Sequence, residues 1–193
     1  MPRTSTGRRI TLGCSSISAI ALAASGAHAA VFINEVHYDD ATVTPGDVGE
    51  AIEVVATNGE NLADYDIVLY NGSGGATYDT DPVPAGSAGT CGGSTTIGVI
   101  NYATNGVQNG APDGIALVLR SSSTVVQFLS YEGTFAATNG PAVGLTSVDI
   151  GVAETNATLA GTSLQLGHVT CQLLVGAALP GQFAAQGLGD GLA

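Results

Sequence analysis

Glu50-Ala51-Ile52-Glu53-Val54-Val55 decides how this chain is read. In an extended backbone Ile52 and Val54 fall on one face and Glu53 on the other. That two-residue period marks a strand burying one side of a sheet. Similar runs extend in both directions, over 31–38, 65–70, 97–102, 114–120 and 124–131, with weaker ones over 145–150 and 162–166. Turn signals punctuate them, among them Asn58-Gly59 after the quoted run and Asn71-Gly72 after 65–70. Ile115, Leu117 and Leu119 form a second apolar row. Val126 and Phe128 have opposite parity to Val125 and Leu129, which predicts a strand buried on both faces. No window carries a capped apolar period of 3.6 residues. The expected fold is all-β, an antiparallel β-sandwich with one core over residues 31–167. The Gly/Ser/Thr/Pro-rich stretch 71–93 is expected to be a long surface connection.

Composition excludes several chemistries. The 193 residues hold 4 Lys+Arg, all of them Arg, against 16 Asp+Glu, for a net charge of -12. Without lysine there is no Walker-A phosphate loop, no Schiff base and no Ser-Lys pair. So acidic a chain neutralises few phosphates, which disfavours direct nucleic-acid binding. Phosphoryl transfer needs positive charge at the reacting oxygens, and beyond the N-terminal segment only Arg120 supplies it. A hydrophobic share of 45% argues against an acidic disordered tail.

Residues 1–30 read as a signal peptide. Arg3, Arg8 and Arg9 give the positive start, 17–24 the short apolar stretch, and Ala27-His28-Ala29 the small-x-small cleavage form. Removing it takes three arginines and no acid, so -12 becomes -15. No later run is long or apolar enough for a membrane helix, so a secreted or periplasmic product with no membrane attachment is expected. Export permits a disulfide, and Cys91–Cys171 is the single pairing available to the processed chain. A loop that long stabilises by about 4 kcal/mol when closed without strain.

Six acids, Glu35, Asp39, Asp40, Asp47, Glu50 and Glu53, lie within nineteen residues. Clustered oxygen ligands suit Ca²⁺, with Glu35, Asp39, Asp47 and Glu50 as the candidate metal ligands. Asp39 and Glu50 even stand at the first and twelfth places of a twelve-residue loop, but Ala41, Val43 and Thr44 occupy positions an EF-hand fills otherwise, and strands flank the segment. The plainer expectation is an acidic hairpin loop facing water. His37, beside Glu35 and Asp39, is expected to be a strand-end histidine bonded locally, since no nucleophile elbow or zinc spacing accompanies it. Asn105-Gly106, Asn109-Gly110 and Ala111-Pro112-Asp113-Gly114 read as turn chemistry. No pair among the sixteen acids is singled out for glycoside hydrolysis.

Several runs, taken in order, resemble the bacterial lamin-tail domains. They are Phe32-Ile33-Asn34-Glu35-Val36-His37-Tyr38-Asp39, Gly49-Glu50-Ala51-Ile52-Glu53-Val54 and Ile67-Val68-Leu69-Tyr70-Asn71-Gly72. Gln108-Asn109-Gly110-Ala111-Pro112-Asp113-Gly114-Ile115-Ala116-Leu117 resembles the central motif of that family, and Val126-Gln127-Phe128-Leu129-Ser130-Tyr131-Glu132-Gly133 the strand after it. Residues 144–152 and Ser163-Leu164-Gln165-Leu166 continue the match to about residue 167. The resemblance implies an immunoglobulin-like sandwich, found in bacteria as an accessory module of exported nucleases, phosphatases and other hydrolases, and in nuclear lamins as a binding platform. It implies no catalytic residues. The acids it shares, matched by Glu35, Asp39, Glu50, Glu53 and Asp113, are structural or metal-binding in its terms. The chain departs from the family over 168–193, an atypical Gly/Ala-rich tail without the expected Phe/Trp-bearing strand, as from a gene truncated or frame-shifted after Leu166. A missing last strand would leave a sheet edge unpaired.

The leading functional expectation is therefore an exported, non-catalytic binding or interaction module whose partner is a protein or a surface glycan. The alternatives are the accessory portion of a truncated extracellular nuclease or phosphatase, and a calcium-stabilised structural module.

Overall fold

The run that decides the reading becomes a central strand, paired on both sides. A computed structural model describes residues 30–89 and 94–166, and the backbone of 183–187. Residues 1–29 of the segment read as a signal peptide, Cys91, Cys171 and most of the tail lie outside the described residues. The strands are β1 (Val31–His37), β2 (Ala51–Ala56), β3 (Tyr65–Asn71), β4 (Ala76–Pro82), β5 (Ser87–Ala88), β6 (Thr96–Asn101), β7 (Asp113–Leu119), β8 (Thr124–Tyr131), β9 (Val148–Asp149), β10 (Thr162–Leu166) and β11 (Phe183–Gly187). One 3-10 turn, Leu62–Asp64, precedes β3. They form two sheets, β11-β10-β1-β2-β6-β5 and β4-β3-β7-β8-β9.

The fold is an all-β sandwich. Val31, Ile33, Val36, Ile52, Val54 and Leu164 of the first sheet meet Ile67, Leu69, Ile115 and Leu117 of the second in one buried cluster. This is the apolar face that alternation in β2 and β7 predicts. Three bulges interrupt the registers among the described residues, one of them at Tyr78 in β4, and the other two change the parity of strands read from the sequence. In β1 the register passes from Ile33↔Val54 to Glu35↔Glu53, leaving Asn34 as the extra residue. Val31 and Ile33 point into the core before it, Val36 and Tyr38 after it. In β8 the register passes from Leu117↔Gln127 to Val118↔Val125, and Val126 is extra. The expected pairing of Val126 with Phe128 is therefore corrected. Val126 is 42% exposed, while Val125 packs with Phe128. An inserted residue bends the strand and resets which side chains share a face.

The second sheet is covered on its outer side as well. Val68, Tyr70, Ala116, Val118 and Phe128 pack there against Phe135, Ala137 and Ala142 of the segment after β8. That segment folds on itself through the Ala136↔Thr146 bridge and returns as β9, parallel to β8. The expectation of antiparallel pairing throughout is corrected at this one pair, because a covering loop brings the chain back in the direction it left. It also shortens the expected strand 145–150 to two residues. The expected surface connection 71–93 contains β4, a full edge strand on β3, and β5 on β6. At the other edge β11 pairs with β10 from Thr162↔Gly187 to Leu166↔Phe183, so that side of β10 carries a neighbour.

Candidate functional site

The polar chemistry collects at one end of the sandwich. The C-terminal ends of β1, β3 and β8, the N-terminal ends of β2 and β7 and the loop 102–112 all arrive there. The acidic hairpin loop expected to face water is corrected. Glu35, Asp39, Asp40, Asp47, Glu50 and Glu53 are all 6% exposed or less. Ionised carboxylates stay buried only where donors replace water, and most of these have donors.

Glu154 is the hub, and nothing local in the sequence singles it out. Its Oε1 meets His37 Nδ1 at 2.9 Å, and its Oε2 accepts from the backbone amides of Tyr38 at 2.6 Å and Asp39 at 3.1 Å. Its own amide donates to the Tyr38 hydroxyl at 2.8 Å. That hydroxyl donates in turn to Glu132, and the Tyr38 ring stacks on Tyr131 with centroids 3.9 Å apart. His37 Nε2 faces the Val48 carbonyl at 3.1 Å and Asp40 at 3.7 Å. The expectation of a locally bonded histidine is therefore corrected, since its principal partner is 117 residues away. Burial alone lowers its pKa, but the Glu154 carboxylate, the Val48 carbonyl and Asp40 together hold it above the ordinary value.

The remaining acids fasten loops. Asp40 accepts from Thr42 at 2.6 Å and Val48 at 3.5 Å. Burial pushes its carboxyl up, but these bonds and His37 outweigh that and leave it below the ordinary value. Asp47 Oδ1 takes the Asp40 amide at 3.2 Å, and its Oδ2 takes the Asn109 side chain at 3.1 Å. Asn105 accepts from the Asp47 amide at 3.1 Å, so the asparagines read as turn residues are also partners of this acid. Gly46 makes room for that contact: its φ is +127°, and a Cβ there would stand 2.5 Å from the Asn105 carboxamide. Glu50 takes the amides of Gly106 and Val107 at 2.8 and 3.0 Å; burial nevertheless pushes its pKa up to about 7. Asp113 takes the amides of Gly72 at 2.9 Å and Gly110 at 2.7 Å.

Asp39 is different. Its Oδ1 is buried without a hydrogen-bond partner. Burial, then the neighbouring carboxylates of Asp47, Glu154 and Glu132, push its pKa up to about 6. Of the four candidate ligands, Asp39 and Asp47 are brought together. Glu50 is spent on the 102–112 loop, and Glu35 accepts the Ser163 hydroxyl of β10. Among the described residues no three of His, Cys, Asp and Glu are arranged to hold a metal ion.

Arg120, the single cation outside the N-terminal segment, follows β7 at the end opposite Asp113, about 23 Å away at the rise of a strand. It is clasped by Asp66, with its Nη2 2.5 Å from Oδ1, and donates to the carbonyls of Ala63 and Tyr65. Among the described residues no helix is long and apolar enough to cross a membrane. No family model, curated protein or solved structure matches this chain.

Proposed function

We propose that the chain is an exported, non-catalytic binding module whose sandwich is immunoglobulin-like and of the lamin-tail type, with a protein or a surface glycan as partner. The observation that carries this reading is how its reactive side chains are used. His37, Glu154, Asp40, Asp47, Glu50 and Asp113 are each committed to backbone groups that tie loops to one end of the sheets. A general base must reach a substrate proton, and these side chains reach main-chain groups. The distance of Arg120 from the acids also weighs against phosphoryl transfer by this chain alone.

The test pairs a binding assay with a turnover assay. The purified chain is expected to bind a component of an immobilised glycan or surface-protein panel saturably. It is expected to give no turnover of phosphomonoesters or phosphodiesters with calcium or magnesium. Metal-dependent hydrolysis abolished by His37→Gln would overturn the reading in favour of an enzyme. For the exported state, the expectation is a product in the medium beginning at Ala30 or Val31; retention of residues 1–29 would contradict it.

A further inference from the structure

Five Asn-Gly pairs stand in the chain, at Asn58, Asn71, Asn105, Asn109 and Asn139. Such a pair can close on itself, because glycine puts no side chain beside its own nitrogen. The nitrogen must be free to turn toward the asparagine Cγ. Exposure does not separate the pairs, since Asn58, Asn105 and Asn109 are all exposed. The glycine amides do. Gly72 donates to Asp113 at 2.9 Å, Gly110 to the same carboxylate at 2.7 Å, and Gly106 to Glu50 at 2.8 Å. The matching carboxamides are held as well. Asn71 accepts from the Ser73 amide, Asn105 accepts from the Asp47 amide, and Asn109 donates to the Asp47 carboxylate. At Gly59 the acceptor is the Ser94 carbonyl, at 3.5 Å. A Cβ built on Gly59 would meet no atom beyond its chain neighbours within 4 Å. Built on Gly72, Gly106 or Gly110, it would run into Pro112, Ala103 or Asp113.

We infer that Asn58-Gly59, in the turn after β2, is a site of spontaneous deamidation, and that the buried carboxylates of Glu50 and Asp113 hold three other Asn-Gly pairs out of the same reaction. The inference is independent of the binding reading above. Solvent base takes the Gly59 amide proton, and the nitrogen attacks Asn58 Cγ. The N–Cγ bond forms, the Cγ–Nδ2 bond breaks, and ammonia leaves with a proton from water. Water then opens the cyclic imide at either carbonyl, giving aspartate or isoaspartate. Both products add a negative charge two residues before Glu60, and isoaspartate also lengthens the backbone at the exit of β2. At the acid-rich end the same reaction first requires a bond from a backbone amide to a charged acceptor to open, so its rate carries the cost of that local opening.

Peptide mapping by mass spectrometry decides the matter, on the purified chain aged in mildly alkaline buffer with and without urea. In the folded chain Asn58 is expected to convert at least about tenfold faster than Asn71, Asn105 or Asn109. Asn139, whose carboxamide accepts from the Thr77 amide, should also lag behind Asn58. In urea all five pairs should convert at similar rates, since each is followed by glycine. Asp113→Ala releases the Gly72 and Gly110 amides together, so it should speed conversion at Asn71 and Asn109 and leave Asn58 and Asn105 unchanged. Equal rates at Asn58 and Asn105 in the folded chain would overturn the inference. So would a lead for Asn58 that persists undiminished in urea, because the difference would then be local to the sequence. Unchanged rates at Asn71 and Asn109 in a folded Asp113→Ala would overturn the protective role of that carboxylate. If the variant does not fold, the comparison of the parent chain with and without urea decides alone.

Discussion

Two buried regions of this sandwich are built by opposite means. On the outer side of the second sheet, Tyr70, Phe128 and Phe135 pack edge to face or tilted, with centroids 5.1 to 6.4 Å apart, under Ala137 and Ala142. At the acid-rich end, burial is as complete, but the carboxylates are held by directed bonds donated mostly by backbone amides. The apolar layer is held by volume and tolerates small changes of shape. The acid end is held by matching, so a lost partner leaves a charge stranded. The difference predicts that similar degrees of burial hide very unequal sensitivities.

The largest effect is expected at the hub. Glu154→Ala strands His37 and the amides of Tyr38 and Asp39, and should cost about 3–5 kcal/mol in urea unfolding. A loss below about 1 kcal/mol would mean that the acid end is not held by matching. Next comes Gly46→Ala. It forces a side chain into the left-handed region and against Asn105, and should cost about 2 kcal/mol. Ile67→Val, in the fully buried apolar core between the sheets, should cost only about 1 kcal/mol. If Ile67→Val proved as damaging as Glu154→Ala, the contrast between the two kinds of burial would fail.

The pH dependence sharpens the same contrast. The Glu50 carboxyl, raised to about 7 in the fold, binds its proton more tightly there than in the unfolded chain. Stability is therefore lost as pH rises from the ordinary glutamate range through about 7. Asp39, raised to about 6, and His37, also raised, act in the same direction. Asp40 is lowered, so its contribution fades only on acidification below the ordinary aspartate range. In chelator the midpoint should be about 3–8 °C lower at pH 8 than at pH 5. Glu50→Gln should flatten that dependence. A midpoint that rises from pH 5 to pH 8 would show that these acids are solvated.

The apolar skeleton was legible because it is local. Ile52 and Val54, or Ile115 and Leu117, declare a buried face within a few residues. The bulges at Asn34 and Val126 were not, since an extra residue shows only against the partner strand. The outer layer was hidden by Gly133, Gly140, Pro141 and Gly144, which read as loop while Phe135 and Ala142 between them are buried. At the acid end the residues themselves were visible, but their burial was not. The donors to Glu154 lie 115 to 117 residues away, and no pattern near Glu154 marks them. Asn105 and Asn109 carried a usable signal, as two Asn-Gly pairs framing a short loop, yet turn geometry accounts for them equally well.

Amide hydrogen exchange tests the central claim most directly. Tyr38, Asp39, Gly106 and Val107 lie outside the strands, and their amides point at buried carboxylates. If those carboxylates hold this end of the molecule together, the four amides exchange as slowly as those of β2. Exchange as fast as at Val43, which is 92% exposed, would contradict the account.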